Sequence, residues 1–229
     1  HRMLAEHGDL YHATVLVRFA DRARIDAFLS MMQQVIDRHD ILRTSFVWKG
    51  LNTPVQVVQR RAAIAHETLN LDPADGPIGE QLATHYAPGR FGFDLTRAPL
   101  FRFGDAFDPS SGQWLMCLAF HHLILDHTSL EVIMEEATLI GQGRTDELLP
   151  PVPFRNYIWQ VKVDADPAAH QAFFSRMLGD IDRPTAPFGL TQTSDDLVQF
   201  DECVRMLPAD LSTGLRRRAR ELGVSAASL

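Results

Sequence analysis

The densest run of chemically useful side chains is His121-His122-Leu123-Ile124-Leu125-Asp126-His127. An imidazole there can act as a general base, because its free pKa lies near neutrality. A carboxylate four residues after His122 can fix the imidazole tautomer, or pair with a cation and lock the loop. Three histidines and an aspartate also supply enough ligands for a metal ion. His39, Asp40 and His85 are further candidates, although no second ligand cluster is evident. Structural, catalytic and metal roles are all open from the residues alone.

The run stands between two strong elements. Gln113 to Phe120 is an apolar strand pattern, and with Leu100 to Phe107 it predicts a hairpin around Pro109-Ser110-Ser111-Gly112. After it, Thr128-Ser129-Leu130-Glu131 fits a capping box with Thr128 at the N-cap. Leu130, Ile133, Met134 and Ala137 give the following helix its apolar face.

Upstream, Tyr11 to Phe19 alternates as a strand, with Tyr11, Ala13, Val15, Val17 and Phe19 on one face. Ile25, Phe28, Leu29, Met32, Val35 and Ile36 then recur at helical spacing, with Asp21 as N-cap and an end near Arg38-His39-Asp40. Leu42–Trp48 and Val55–Gln59 predict a hairpin across Lys49-Gly50. Helices are expected at 78–86, 166–178 and 208–222, the last closed by Gly223. Residues 198–207 alternate as a strand. Hairpins mixed with amphipathic helices predict an α/β (α+β) fold, a largely antiparallel or mixed sheet covered by helices. It occupies 1–181, followed by a linker at 182–197 and the start of something else at 198–229.

Composition narrows the function classes. The 229 residues carry a net charge of −7, and the chain is 45% hydrophobic and 22% charged, as in ordinary globular proteins. An acidic chain without a Lys/Arg block is a poor nucleic-acid binder. The one basic cluster, Arg216-Arg217-Arg218 with Arg220, sits on a helical pattern and reads as a solvated face. No apolar run is long enough to span a membrane, and no signal peptide is read at the start. Cys117 and Cys203 form no disulfide framework, so a reducing, cytoplasmic setting is expected. Both ends read as cuts through a longer polypeptide.

His122-Leu123-Ile124-Leu125-Asp126 fits the His-x-x-x-Asp core of the chloramphenicol-acetyltransferase-like superfamily. With His121 in front, it resembles the His-His-x-x-x-Asp motif of condensation domains of nonribosomal peptide synthetases. The order of other segments matches too. Arg38-His39-Asp40-Ile41-Leu42-Arg43-Thr44-Ser45-Phe46, Pro54-Val55-Gln56-Val57-Val58, Phe93-Asp94-Leu95-Thr96-Arg97-Ala98-Pro99-Leu100 and Phe154-Arg155-Asn156-Tyr157 resemble family segments along essentially the whole chain. His127 departs from the family's glycine. His1, Gly8 and Asp9 resemble a segment of the dual epimerisation/condensation subgroup, whereas Arg2 and Met3 do not.

The resemblance implies the N-terminal lobe of a two-lobe domain, with residues 198–229 opening the second lobe. It implies amide formation between a donor thioester and an acceptor aminoacyl thioester. Both are presented on phosphopantetheine arms of upstream and downstream carrier domains, beside an adenylation domain. No cofactor or metal is held directly, and no nucleic acid or membrane is engaged. His122 is the expected catalytic residue, as base or as orienter of the amine. His121 and His127 support the loop, and Asp126 is expected to pair with Arg43. A recruitment domain without catalysis, a stand-alone acyltransferase using acyl-CoA and a metal hydrolase are the competing readings.

Overall fold

The computed structural model describes residues 11–88, 90–183, 185, 186, 189 and 205–229. Among these the chain forms β1 (His12–Phe19), α1 (Arg22–Arg38), β2 (Thr44–Val47), β3 (Val55–Val58), β4 (His66–Thr68), α2 (Ile78–His85), β5 (Phe101–Asp108) and β6 (Gln113–His121). They are followed by α3 (His127–Gly141), α4 (Phe154–Asp164), α5 (Pro167–Leu178) and α6 (Ala209–Leu222). Two compact units result, His1–Asp195 and Asp196–Leu229. The expected linker and strand over 182–207 fall largely on residues outside those described, as do His1, Gly8 and Asp9.

The expected α/β class holds. A four-stranded mixed sheet has the order β1-β6-β5-β4, and β2 and β3 form a separate antiparallel pair. β6 is antiparallel to both its neighbours, whereas the short β4 runs parallel to β5. As an interior strand, β6 is buried without a break from Leu115 to His121. That explains its near-continuous apolar sequence where an edge strand would alternate.

Strand geometry sends alternate residues to opposite faces. On one face Phe19 meets Phe28 of α1 at 5.4 Å between ring centroids, and Phe28 meets Phe103 at 6.4 Å. On the other, Leu16 and Leu115 lie against Gly79 of α2. Gly104 of β5 is required there, because a Cβ would fall 2.1 Å from the Tyr86 hydroxyl. That hydroxyl donates to Glu67 Oε1 at 2.7 Å, and burial, reinforced by this bond, raises the phenol's pKa far above its ordinary value.

Among the described residues, one carboxylate is wholly buried between the packed layers. Asp105 is wholly buried, with Arg22 Nη1 at 3.0 and 3.1 Å from its two oxygens and His66 Nε2 at 2.5 Å. A carboxylate in such a place needs partners of this kind. The cluster ties the first turn of α1 to β4 and β5.

Candidate functional site

β6 delivers the histidine run to the end of the sheet. The His122 N–H donates to the Tyr11 carbonyl at 2.7 Å, one step beyond the β1–β6 pairing that ends at His12↔His121. His121 is wholly buried, edge-on to Phe93 at 6.1 Å. Its Nδ1 accepts the Leu123 N–H at 2.9 Å. A nitrogen that accepts from an amide carries no proton, so the ring proton of His121 sits on Nε2. Ile124 and Leu125 are buried and pin the loop from below.

His122 has the opposite tautomer. Its Nδ1 lies 3.2 Å from the Leu125 carbonyl oxygen, which can only accept. Nδ1 is therefore the protonated nitrogen, and in the neutral ring the lone pair is on Nε2. The side chain is exposed, edge-on to Phe120 at 5.7 Å. The two adjacent imidazoles thus differ in kind. One is locked into the core by the loop backbone, and the other offers a basic nitrogen outward.

Asp126 does not pair with Arg43. It is exposed, and its carboxylate caps α3 by accepting the Ser129 N–H at 2.8 Å. The Ser129 amide and hydroxyl hold its pKa below the ordinary carboxylate value. Thr128 accordingly lies inside the helix. The extended backbone of Asp126 places its side chain over the first turn, where a carboxylate also meets the positive end of the helix dipole. Glu131, the other half of the expected capping box, turns sideways to His127, with Oε1 3.3 Å from Nε2 and both side chains mostly exposed. Arg43 instead donates through Nη1 to the Gln59 carbonyl and, at 3.5 Å, to that of Arg60. It braces the end of the β2–β3 pair because it stands one residue before β2, opposite the exit of β3.

The Arg38-His39-Asp40 segment turns out to be a junction. Arg38 Nε and His39 Nε2 both reach Glu136 Oε2, at 3.1 and 2.8 Å. Burial alone would raise the Glu136 pKa, but the bonds from His39 and Arg38 outweigh it and leave the carboxyl below its ordinary value. Asp40 accepts the Phe154 N–H at the start of α4 with both oxygens, at 3.0 and 3.1 Å. Glu136 was not singled out in the sequence, since its partners lie 97 and 98 residues away.

Among the described residues no group of three or more His, Cys, Asp or Glu is placed to hold a metal ion. His121 and His122 face different surroundings, His39 is engaged by Glu136, and His85 lies 3.6 Å from Glu67. Burial pushes the Cys117 thiol up to about 11, which removes it as a nucleophile. A cleft of about 380 Å³ runs beside α2, lined by residues including Glu80, His85 and Arg90, and includes none of residues 121–127. No helix among the described residues is long and apolar enough to cross a membrane.

A mixed sheet leads into a histidine loop that caps the next helix, in keeping with the chloramphenicol-acetyltransferase-like fold that the sequence resemblance implied. The chain belongs to the Condensation domain family, which it matches over residues 1–229. It is 44% identical over all 229 residues to malpibaldin synthetase and to malpinin synthetase of Mortierella alpina, and spans only 4% and 3% of their lengths. The fold resembles that of the starter condensation domain of rhizomide synthetase. That match has a TM-score of 0.60 at 19% identity, over 80% of this chain and 46% of that one. These similarities do not single out the dual epimerisation/condensation subgroup.

Proposed function

We propose that this chain is the histidine-bearing part of a condensation domain that forms amide bonds in a nonribosomal peptide synthetase. The observation that carries this reading is the bond between His122 Nδ1 and the Leu125 carbonyl at the end of the central strand, which makes Nε2 the lone-pair nitrogen of the neutral ring. The acceptor amine attacks the donor thioester carbonyl carbon, a C–N bond forms, and the C–S bond breaks. Nε2 takes the proton the amine must lose and returns it to the departing thiolate. The thioester is already activated, so holding two tethered substrates together supplies much of the acceleration.

Carrier domains bring both substrates on phosphopantetheine, and an adenylation domain loads them. His121 and Asp126 act on His122 from below and behind, through the loop and through the cap of α3. Donor inversion by the same base would extend this chemistry to a Cα proton acidified by the thioester. The isolated chain is expected to be silent, because it covers only 46% of the matched solved relative, and in the resembled two-lobe architecture the reaction channel runs between the lobes.

The test is His122→Ala in the intact synthetase with donor and acceptor carriers loaded. Peptide bond formation should fall at least about a hundredfold, in line with the usual worth of a positioned acid–base group. A folded variant that forms peptide at the wild-type rate would exclude His122 from the chemistry.

A further inference from the structure

α3 meets α1 in two ways. Ile133, Ala137 and Ile140 are buried on α3, and Met31 of α1 lies against Gly141. Such apolar contacts are not directional, so they do not by themselves set where along its axis α3 stops. The junction at Glu136 is directional. Two donors from the end of α1 converge on one oxygen, and Arg38 Nη2 also donates to the Leu149 carbonyl beyond α3, at 2.8 Å. The Glu136 side chain is only 13% exposed, and those of Arg38 and His39 23%. This is no loose surface pair of the kind worth next to nothing.

The same helix starts at the loop that carries His122. Its cap is Asp126, and the carbonyl of the residue before, Leu125, receives the Nδ1–H of His122. Glu136 stands more than two helical turns along from that cap. An α-helix is stiff along its axis, so a fixed point at Glu136 fixes the carbonyl that orients the imidazole. We propose that Glu136, held by Arg38 and His39, is a positioning residue that sets the axial register of α3 and thereby the aim of His122 Nε2. The proposal rests on the reading of His122 given above.

The experiment uses the intact synthetase with loaded carriers and compares Glu136→Ala, Glu136→Asp and Glu136→Gln, with His122→Ala as control. Rates are expressed per folded molecule. Misplacement of a reacting group by about 1 Å can cost ~10²-fold, so Glu136→Ala should lose about tenfold in kcat with KM within about twofold. Glu136→Asp keeps the charge but shortens the reach by one methylene, and should lose severalfold; it decides the matter if the Ala variant does not fold. Glu136→Gln keeps the one oxygen that receives both bonds, and should stay within about threefold of wild type.

A residue with only a structural role would lower the melting temperature and leave kcat per folded molecule unchanged. Wild-type kcat in folded Glu136→Ala or Glu136→Asp overturns the proposal, and so does a Glu136→Gln variant as slow as Ala. An inactive His122→Ala beside normal Glu136 variants sinks the positioning role alone. A normal His122→Ala sinks both.

Discussion

α3 and α4 follow one another in the chain and use their apolar residues in opposite ways. α3 buries Ile133, Ala137 and Ile140, spaced four and three apart, as a helix against a layer must. α4 buries none. Its Tyr157, Trp159, Val161 and Val163 are 59, 70, 49 and 59% exposed. Tyr157 and Val161, four apart, share one side of the helix and Trp159 and Val163 the opposite side, so apolar residues stand on both sides. α5 has a better spacing, with Phe173, Phe174 and Met177 close together, yet these are exposed as well. Caps hold the starts of both helices, through Asp40 at Phe154 and Asp166 at Ala168 and Ala169. A directional bond can therefore place a helix whose apolar face is still unspent. The loop of His122 draws on both kinds of support, with Ile124 and Leu125 packed below it and Asp126 capping behind it.

The largest effect that would test this contrast is in the core. Leu118→Ala, at a residue 1% exposed on β6, should cost about 2–5 kcal/mol. Trp159→Ala removes a larger side chain from α4 and should change stability by less than about 0.5 kcal/mol. Urea titrations of the two variants check this. Similar losses would mean that α4 is packed after all.

A smaller effect separates capping from charge pairing at the loop. Asp126→Ala should lower the melting temperature measurably and Asp126→Asn hardly at all, since asparagine caps nearly as well. A buried pair with Arg43 would instead cost about 3–5 kcal/mol in either variant. The pH dependence has a definite sign. The folded-state pKa of Asp126 lies below its ordinary value, so the contribution of the cap is complete above the unfolded value near 3.9 and is lost as pH falls through the lower folded one. Melting temperatures between about pH 2 and 5 should therefore converge for wild type and Asp126→Ala toward the acid end.

Much of the fold was legible because it is local. The alternation of β1, the stripe of α1, both hairpins and the Gly223 stop of α6 each depend on neighbours within one element. β4 was missed because three residues carry no period and the strand exists only by pairing with β5. α4 was missed although Phe154, Tyr157, Ile158 and Val161 stand at helical spacing, because Trp159 and Val163 add apolar residues on the other side and blur the stripe. At the site, His122 and its loop could be read from motif and context, whereas the partners could not. Both Asp126 and Arg43 carry full charges and sit in matching segments, which invites pairing them. The structure spends the first on a helix terminus and the second on carbonyls, because those unpaired backbone groups lie nearer. Glu136 was invisible, since a lone glutamate on a helix gives no signal until the fold brings Arg38 and His39 to it.

The account turns on which nitrogen of His122 is free, and that can be measured without any substrate. Nitrogen-15 NMR of the folded chain with labelled histidine, at a pH where the ring is neutral, distinguishes the two tautomers, with His122→Ala assigning the signal. The expected result is a protonated Nδ1 and an unprotonated, pyridine-like Nε2 for His122, and the reverse pattern for His121, whose Nδ1 accepts the Leu123 amide. A His122 ring protonated on Nε2 would leave no outward lone pair to receive the proton of an amine, and would contradict the assignment of this loop as the base.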